Sequence, residues 1–439
     1  MQEDFLYYVW KLQYFDKRDL RTHQGDQLAV LDPGTHNTHA GPDFLHSSIL
    51  INNLTWHGHV ELHVCASSWH QHKHQVDPAY ENVVLHVVWD NDRSIRQQDG
   101  SILPTLVLQD RVVPQLLQQY QELVHNKTVI PCARQFSQVD SIIKTAMSER
   151  AFFQRLTHKN NLVYQLLDNN QGDWEETAYQ LLAYNFGFKV NSSALLDLSL
   201  RLPLRIINKH VKNLSQLEAL LLGQAGLLAS TTPVPDDYLA TLAKEYAYLA
   251  HKYQLKTNEL HPIHWKFFRL RPANFPTIRI AQLAQLLHQH PHIFYLLTHT
   301  SPVDLYQQLA ITQSAYWQQH YRFAKPSKAR IPGLGKASIE NIMINTIVPL
   351  LVAYGESKDE QGYIDQAMAL LQRLPAERNA ITRHWEELGM PAKSAFDSQA
   401  MLELFNNFCS KKKCLVCNIG GALMQRTMLS IPAPPAGQH

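Results

Sequence analysis

The sequence predicts an α+β protein in which an N-terminal mixed sheet with flanking helices is followed by a large all-α domain. Apolar and polar residues alternate with a period of two over 55–65, as in a β-strand, whereas apolar residues recur at helical spacing from about residue 128. A chain of 439 residues, 45% hydrophobic and 18% charged, is long enough for two or three domains with their own cores. We therefore predict domains at 1–127 and 128–429, and a disordered Pro-rich tail at 430–439.

The strands of the first domain are predicted from short apolar runs and turn sequences. DPG at 32–34 ends one run, the polar stretch THNTHAGPDF predicts a loop, and NN at 52–53 is a hairpin turn. The run NVVLHVVW, apolar except for His86, predicts a strand buried on both faces. The predicted elements are a helix over 4–12 and strands over 28–31, 48–52, 55–65 and 82–89.

The strand predicted over 55–65 is the most informative segment of the chain. Successive side chains of a strand point to opposite faces of the sheet, so alternation separates them into two sets. We expect one set on a buried face and the other on a shared second face. The buried set is Trp56, Gly58, Val60, Leu62 and Val64, and the other set is His57, His59, Glu61 and His63.

The second domain is predicted to be helical because its apolar residues recur every three to four positions. A glycine at 187 ends one of these stripes, and TTPVP at 231–235 predicts a loop or a helix boundary. The predicted helical stretches are 152–166, 174–182, 280–287, 341–354 and 361–374.

Charge and composition narrow the classes of function. The net charge of +2 gives no bulk electrostatic case for nucleic acid or membrane, although a local basic face is compatible with it. The first residues, MQEDFLYYVW, lack the basic region of a secretory signal, and no apolar run has the length of a bilayer span, so we expect a cytoplasmic protein without membrane contact. Twelve of the 24 histidines precede residue 127, which favours a histidine-lined site in the first domain.

Three residues of the first domain have the chemistry of a metal-dependent hydrolase. Asp43 stands at the start of the second strand, and Glu61 and His63 lie two apart on one face of the third. If these strands pair, both carboxylates can bind one hard cation, and Mg²⁺ takes two carboxylates together with water and phosphate oxygens. Such an ion generates hydroxide and stabilises the charge that develops in phosphodiester cleavage. We predict a Mg²⁺ or Mn²⁺ site with Asp43 and Glu61 as ligands and Asp43, Glu61 and His63 as catalytic residues.

The same residues resemble the PD-(D/E)XK nuclease superfamily. GPD at 41–43 is followed on the third strand by ELH at 61–63, and the order helix, strand, strand, strand, connector, strand matches that fold. The resemblance covers roughly the first quarter of the chain. It implies a restriction-endonuclease-like fold that hydrolyses phosphodiester bonds in DNA or RNA, with His63 where the superfamily has lysine. An imidazole can position water or bind metal, but it is not charged throughout neutral pH as an ammonium is.

The whole chain also resembles a bacterial family of unknown function, domain-of-unknown-function family 2851. The resemblance implies one full-length unit and no particular activity. The matching stretches are GPDF, WHGHVELH, YENVVLHVV, FRLRPANFPTIRIAQLA and CSKKKCLVC.

A zinc site is the rival interpretation of the histidine-rich region. Neutral imidazoles with a carboxylate suit Zn²⁺ or another transition metal with an open position for water. The candidate ligands are His63, His72, His74, Asp77 and His86. Among them His72 is expected to be solvated, and His86 could equally be a buried histidine of the core. For His74 and Asp77 the sequence does not decide between a metal ligand and a solvated side chain.

A second metal site is predicted from three closely spaced cysteines. The spacing Cys409-x4-Cys414-x2-Cys417 occurs in plant-type ferredoxins, and Cys132 is the best candidate for a fourth ligand, with a histidine next. We predict zinc or an iron–sulfur cluster there, and the alternative is a set of reduced, packed thiols.

Two further stretches are candidate nucleic-acid contacts. IPGLGK, ending at Lys336, resembles the hairpin of helix-hairpin-helix modules, although an ordinary helix start fits it as well. WKFFRLR mixes aromatic residues with Lys266, Arg269 and Arg271, to which Arg279 could be added, and a helix with snorkelling cations is the alternative. The sequence thus favours a metal-dependent nuclease. The alternatives are a non-enzymatic nucleic-acid-binding or scaffold protein with a decayed site, and a zinc-dependent hydrolase.

Overall fold

The computed structural model describes residues 2–228 and 236–429. Its architecture is α+β, with a curled mixed sheet in the N-terminal part and a helical remainder, so the predicted fold class is confirmed at this level. The loop predicted at 231–235 and the tail predicted at 430–439 lie outside the described residues.

The sheet has six strands in the spatial order β1-β3-β4-β5-β6, and β2 pairs with the remaining part of β3. β3 is antiparallel to β1, β2 and β4, whereas β4, β5 and β6 run parallel. The strands are β1 (Leu28–Asp32), β2 (Thr35–His36), β3 (Phe44–Ile51), β4 (Leu54–Cys65), β5 (Val83–Asp90) and β6 (Thr105–Val107). The sequence did not predict β2 and β6, which are too short to show a periodic pattern.

The helices account for most of the described chain. In order they are α1 (Glu3–Leu12), α2 (Ser68–Gln71), α3 (Pro114–His125), α4 (Ser141–Asn169), α5 (Trp174–Phe186), α6 (Ser192–Arg201), α7 (Leu204–Ile207), α8 (Leu214–Gln224), α9 (Asp237–Tyr253), α10 (Pro276–Gln289), α11 (Ile293–His299), α12 (Pro302–Gln308), α13 (Ala315–Gln319), α14 (Lys336–Ile342), α15 (Val348–Lys358), α16 (Gln361–Arg373), α17 (Ala380–Glu387), α18 (Ala395–Glu403) and α19 (Asn418–Leu429). Two π-helical turns, Met343–Ile347 and Leu404–Cys409, follow α14 and α18 directly.

The hairpin between β3 and β4 turns at the residues predicted from the sequence. Asn52 and Asn53 have φ of 45° and 69°, which is the left-handed pair that a two-residue hairpin turn requires and that asparagine tolerates. Ile51 and Leu54 are paired on either side of it. β3 begins at Phe44, four positions before the predicted start at 48, because Phe44 pairs with Val60 of the long strand β4.

The burial of side chains along β4 differs from the prediction in two ways: one residue of the predicted buried face is exposed, and two of the second face are buried. Trp56 was expected to be buried but is 46% exposed, since β5 runs beside β4 only from His59 onward. In the second half of the strand both faces are buried, and Glu61 and His63 are only 4% and 1% exposed. β4 lies between β3 and β5, α1 packs on it, and the connector after β4 covers the histidine side.

The helical part bears out the predicted stretches. The stripe that begins at Trp174 is α5. Asp173 caps the start of this helix, because its side chain accepts hydrogen bonds from the N–H groups of Glu175 and Glu176. The helix ends at Gly187. The description all-α needs one correction, because His320–Arg322 and Lys325–Pro326 form a two-stranded antiparallel ladder, β7 and β8.

Compactness divides the chain into two units. The first contains residues 1–151, 380–391 and 401 onward, and the second contains 152–379 and 392–400. Sequence periodicity placed the boundary near 127, whereas here residues 128–151 and 401–429 belong with the sheet. Cys132 and the cysteines of 409–417 therefore share one unit.

One stretch of the second unit, Lys336–Lys358, is long and apolar enough to cross a bilayer by length and composition. It consists of α14, the π-helical turn Met343–Ile347 and α15. Two thirds of its most apolar window is buried inside the protein (67%), so its side chains already have protein neighbours and the stretch is weak evidence for a membrane span.

Candidate metal centre

The loop before β3 fixes the position of Asp43. The side-chain amide of Asn37 donates to the carbonyl oxygens of Ala40 and Pro42 at 3.3 and 3.0 Å. Gly41, between them, has φ of 105°, a conformation that L side chains rarely adopt. The GPD sequence therefore forms a tight turn that delivers the Asp43 carboxylate to the edge of β4.

The carboxylates of Asp43 and Glu61 are tied to each other's backbone. The N–H of Asp43 donates to Glu61 Oε2 at 3.0 Å, and the N–H of Leu62 donates to Asp43 Oδ2 at 2.9 Å. The pairing of β3 with β4 shifts register between Phe44 and Ser47, a bulge of the kind that re-aims side chains beside active sites. The structure thus brings together the two acids that the sequence singled out.

Four imidazoles continue the polar cluster from the other oxygen of Glu61. Glu61 Oε1 lies 3.3 Å from His74 Nε2 and 3.6 Å from His63 Nε2. His63 Nε2 is 3.3 Å from His72 Nδ1, and His63 Nδ1 is 2.9 Å from His86 Nε2. Glu61 therefore stands at a junction, with Asp43 on one side and a histidine cluster on the other.

Three of the imidazoles, without either carboxylate, have the spacing of ligands around one ion. Donor atoms bound about 2.0–2.2 Å from a metal stand about 3.0–3.5 Å apart, close to the separations around Glu61 and His63. The ligand atoms of His63, His72 and His74 all lie within 4.8 Å of one another, and no other such group of three or more exists in the described ranges. Carboxylate oxygen together with imidazole nitrogen suits Mn²⁺, Zn²⁺ and similar ions better than Mg²⁺.

Burial disfavours the ionised form of both acids. Burial raises the pKa of Asp43 to about 7, with the neighbouring Glu61 carboxylate as the second cause. Burial likewise raises the pKa of Glu61 to about 8. Within the described ranges neither carboxylate has an ion pair with lysine or arginine, so no cationic side chain offsets this cost.

Three of these histidines, His63, His74 and His86, are held neutral by the same burial. Burial and the neighbouring imidazoles lower the pKa of His63 to about 2 and that of His86 to about 3. Burial also lowers the pKa of His74. A neutral imidazole retains the lone pair with which it binds a metal, so the site offers its histidines in the ligating form.

Two ring nitrogens in this cluster have no hydrogen-bond partner among the described residues. His74 Nε2 is buried and close to Glu61, yet not aligned for a hydrogen bond, and His86 Nδ1 is buried without any partner. The His74 ring stacks on Tyr80 with centroids 3.8 Å apart, which fixes the direction of Nε2. An unpartnered buried nitrogen aimed at a carboxylate is an arrangement that a bound cation completes.

Asp77 is not part of this cluster. It is exposed, and its carboxylate accepts the N–H of Ala79 at 3.0 Å, as the cap of the short 3₁₀ turn Pro78–Tyr80. His72, expected to be simply solvated, is exposed but has its Nδ1 beside His63. The structure therefore groups His63, His72, His74 and His86 and places Asp77 outside them.

A cavity of about 510 Å³ adjoins the acidic end of the cluster. Tyr7 lines it, donates from its hydroxyl to Glu3 Oε2 at 3.5 Å, and has its hydroxyl near the Asp43 carboxylate. The cavity wall carries four cationic side chains: Lys11, Arg150, Lys412 and Lys413. Among the described residues Asp4 is the one acid on this wall, and neither Asp43 nor Glu61 lines it, so a phosphate group in the cavity would meet a net excess of cationic side chains.

The cations proposed as nucleic-acid contacts lie in the second unit. Lys266, Arg269 and Arg271 are exposed on a loop rather than a helix, and Arg269 stacks on Phe268, which is 82% exposed. Arg279 does not join them, because it is buried in α10 and donates to Gln282 at 2.8 Å.

Lys336 is exposed at the first position of α14. Its ammonium nitrogen lies 4.0 Å from Glu340 of the same helix. In the hairpin before it, a Cβ on Gly333 would lie 2.3 Å from the carbonyl oxygen of Ile311, so glycine is required by close packing there. An intramolecular contact therefore accounts for that glycine.

The four cysteines predicted to bind metal are buried in the first unit. Sequence reasoning missed Tyr7 and the cavity cations of the same unit, because no local pattern links the helix 3–12 to residues 150 and 412–413. It also missed the stacking of His74 on Tyr80, which only the folded connector creates.

These features define the first unit as a mixed-sheet domain with a polar cluster of two carboxylates and four imidazoles, of which His72 is exposed. The family model described as "Protein of unknown function (DUF2851)" matches residues 3–380, and the chain belongs to that family. Neither the curated proteins nor the solved structures contain a match to this chain.

Proposed function

We propose that the first unit is a metal-dependent hydrolase of phosphodiester bonds in DNA or RNA, with the restriction-endonuclease-like arrangement implied by its resemblance to PD-(D/E)XK nucleases. The observation that carries the proposal is the junction at Glu61, whose Oε2 faces Asp43 and whose Oε1 faces His74 and His63. The chain order α1, β1, β3, β4, connector, β5 supports it, with Asp43 directly before β3 and Glu61 on the neighbouring strand β4.

The residues of the chain would share the work as follows. Asp43, Glu61 and His74 would hold a divalent ion, which when bound supplies a nucleophilic hydroxide and stabilises the developing negative charge, and His63 would position the attacking water. The donor set favours Mn²⁺ over Mg²⁺. The exposed His72 stands beside the buried His63 and connects the centre to solvent.

The cavity beside Tyr7 supports a phosphate-bearing substrate. Its wall combines Lys11 and Arg150 with Lys412 and Lys413, and such cations attract phosphate oxygens. Tyr7 lines this wall, and its hydroxyl lies near the Asp43 carboxylate. The exposed Phe268 with its neighbouring cations is a second, separate surface suited to bases and phosphates.

The test is a cleavage assay of the full chain on single-stranded, duplex, flapped and RNA substrates with Mg²⁺, Mn²⁺ or chelator. We expect cleavage with Mn²⁺ that disappears in Asp43→Asn while the circular dichroism spectrum is retained. Asp90→Asn is the matched control, because Asp90 is an exposed acid at the end of β5 in the same sheet. If every substrate stays uncut and neither metal binds, the non-enzymatic nucleic-acid-binding alternative replaces this proposal.

A zinc-dependent hydrolase is the second candidate, favoured by the close trio His63, His72 and His74. His63→Lys separates the two. A nuclease with a substituted third position should keep its metal-dependent cleavage when His63 becomes lysine, because the superfamily it resembles uses lysine there. A zinc site that uses His63 as a ligand should lose stoichiometric zinc in the same variant.

A further inference from the structure

Four of the five cysteines are gathered in a part of the first unit that the proposed hydrolase chemistry does not use. Cys132, Cys409, Cys414 and Cys417 are 9%, 7%, 7% and 8% exposed. We propose that these four cysteines bind an iron–sulfur cluster, which fastens the segment 401–429 to the residues around Cys132. The fifth, Cys65, ends β4 and belongs to the sheet.

Hydrogen bonds clamp the two chain segments together on both sides of Cys132. Lys412 Nζ donates to the carbonyl oxygen of Asn126 at 2.5 Å, and Arg426 donates to the carbonyl oxygen of Gln138 at 2.8 Å. α19 also packs on the 3₁₀ turn Ala133–Gln138 that follows Cys132. Contacts that do not involve sulfur therefore hold Cys132 close to the segment 409–417, which carries the other three cysteines.

The loop from 409 to 417 has the tight folding of a ligand loop. Cys409 ends a π-helical turn, a feature frequent at functional sites, and Lys412 has φ of 53°. Cys417 directly precedes α19. A Cβ on Gly420, in the first turn of that helix, would lie 2.1 Å from the carbonyl oxygen of Cys414, so only glycine allows this approach.

Cationic side chains and main-chain N–H groups lie beside two of the sulfurs. The N–H groups of Gly420 and Ile419 and the Arg150 guanidinium are near Cys417. The Lys144 ammonium is near Cys132. N–H groups and cations around thiolates are what a cluster with four cysteine ligands needs to offset its charge.

The spread of the sulfurs favours a cluster over a single zinc ion. Sulfurs bound about 2.3 Å from one tetrahedral ion stand about 3.8 Å apart. In the described ranges the histidine trio is the one group whose ligand atoms all lie within 4.8 Å, so the four sulfurs do not meet that condition. Iron–sulfur clusters are larger than one ion and take their four thiolates at wider spacing, and the spacing C-x4-C-x2-C is known for them.

A cluster here would have a consequence for the cavity beside Tyr7. The loop between Cys409 and Cys417 supplies Lys412, Lys413, Leu415 and Val416 to the cavity wall. The cluster would therefore have a structural role, because it would position Lys412 and Lys413 on the cavity wall. Its loss would increase the mobility of the loop from 409 to 417 and leave Asp43 and Glu61 in place.

The test is the metal content of the full chain purified without oxygen. We expect stoichiometric iron and acid-labile sulfide, visible charge-transfer absorption bands and an electron paramagnetic resonance signal after reduction or oxidation. Cys409→Ser and Cys414→Ser should each lose most of the bound iron, whereas Cys65→Ser should keep it.

Limited proteolysis gives a second readout that does not need cleavage activity. The segment 401–429 should be cut several-fold faster in Cys414→Ser than in Cys65→Ser, and Mn²⁺ binding at the N-terminal centre should be the same in both variants. Stoichiometric zinc without iron in the wild-type chain would overturn the proposal, and so would the absence of both metals. The metal content of the wild-type chain is the deciding measurement, so the proposal can be tested even if a cysteine variant fails to fold. The iron–sulfur proposal does not depend on the hydrolase proposal, and a negative cleavage assay would not contradict it.

Discussion

The two units of this chain bury polar side chains in different ways. In the helical unit Gln313 is 1% exposed and donates to the carbonyl oxygens of Trp317, Ile331 and Pro332. In the sheet unit Glu61 and His63 are buried as deeply, but they face another acid and other imidazoles.

The difference indicates separate roles for the Gln313 network and for the cluster around Glu61 and His63. A buried polar group that satisfies main-chain carbonyls stabilises the fold it belongs to, since its removal leaves those carbonyls unpaired. A group of acids and neutral imidazoles without a cationic side chain destabilises the apoprotein and is completed by a ligand. The first cluster therefore serves the fold, and the proposed function assigns the second to binding.

The largest expected effect is on activity and compares two buried glutamates. Glu61→Gln should lower metal-dependent cleavage by at least about 100-fold, because the amide keeps the shape but loses the charge that holds the ion. Glu218→Gln, in the helical unit, removes a carboxylate that accepts from Tyr238, and it should leave cleavage unchanged. Initial rates with saturating Mn²⁺ would measure both. Equal loss in the two variants would contradict the division between the clusters.

The next effect is on stability. Gln313→Ala should lower the free energy of unfolding by about 2–4 kcal/mol, because the buried carbonyl groups of Trp317 and Ile331 lose their donor. Gln307→Ala is the matched control, since Gln307 is exposed on α12, and it should change stability by less than about 0.5 kcal/mol. Urea titration followed by circular dichroism measures both. Similar midpoints would show that the Gln313 network does not support the helical unit.

The pH dependence of the metal-free protein should reveal the acid pair. The folded-state pKa values of Asp43 and Glu61 are raised to about 7 and 8, so the folded chain binds more protons than the unfolded chain up to about pH 8. Their contribution to stability is present at low pH and is lost as pH rises. The lowered pKa values of His63 and His86 act oppositely, but only below their ordinary value of 6.5.

Between pH 6.5 and 8 the pH dependence of stability therefore comes from the two acids and not from these histidines. In chelator, we expect the melting temperature to fall over this range in the wild type and to fall less in Asp43→Asn. Added Mn²⁺ should raise the melting temperature more at pH 8 than at pH 6.5, because binding requires the deprotonated acids. A flat profile in both proteins would argue that the two acids are solvated in solution.

The smallest expected effect concerns Asp77. Asp77→Ala should cost up to about 1 kcal/mol, the value of a lost helix cap, because the carboxylate accepts the N–H of Ala79. Its Mn²⁺ or Zn²⁺ affinity should equal that of the wild type. Isothermal titration with both metals measures this, and a tenfold weaker affinity would place Asp77 in the metal centre.

The sequence predicted the strands that carry the candidate site, but it predicted their faces only partly. The alternation along β4 correctly separates Glu61 and His63 from Val60 and Leu62, because side-chain direction in a strand is a local property. It fails at Trp56, whose exposure depends on where β5 begins. Burial is set by neighbours in space, and these are not encoded in the period of one strand.

The sequence by itself determined the α+β class, the hairpin turn at Asn52 and Asn53, and the types of residue available for chemistry, because turn preference, periodicity and donor atoms are properties of short segments. Only the tertiary structure decided which of these donors meet. It set Asp43 and His74 on opposite sides of Glu61, made Asp77 a cap, and joined Cys132 to the loop from 409 to 417. These meetings depend on strand pairing and on contacts between distant segments, whose free energy is distributed over the whole unit and appears in no single stretch of sequence.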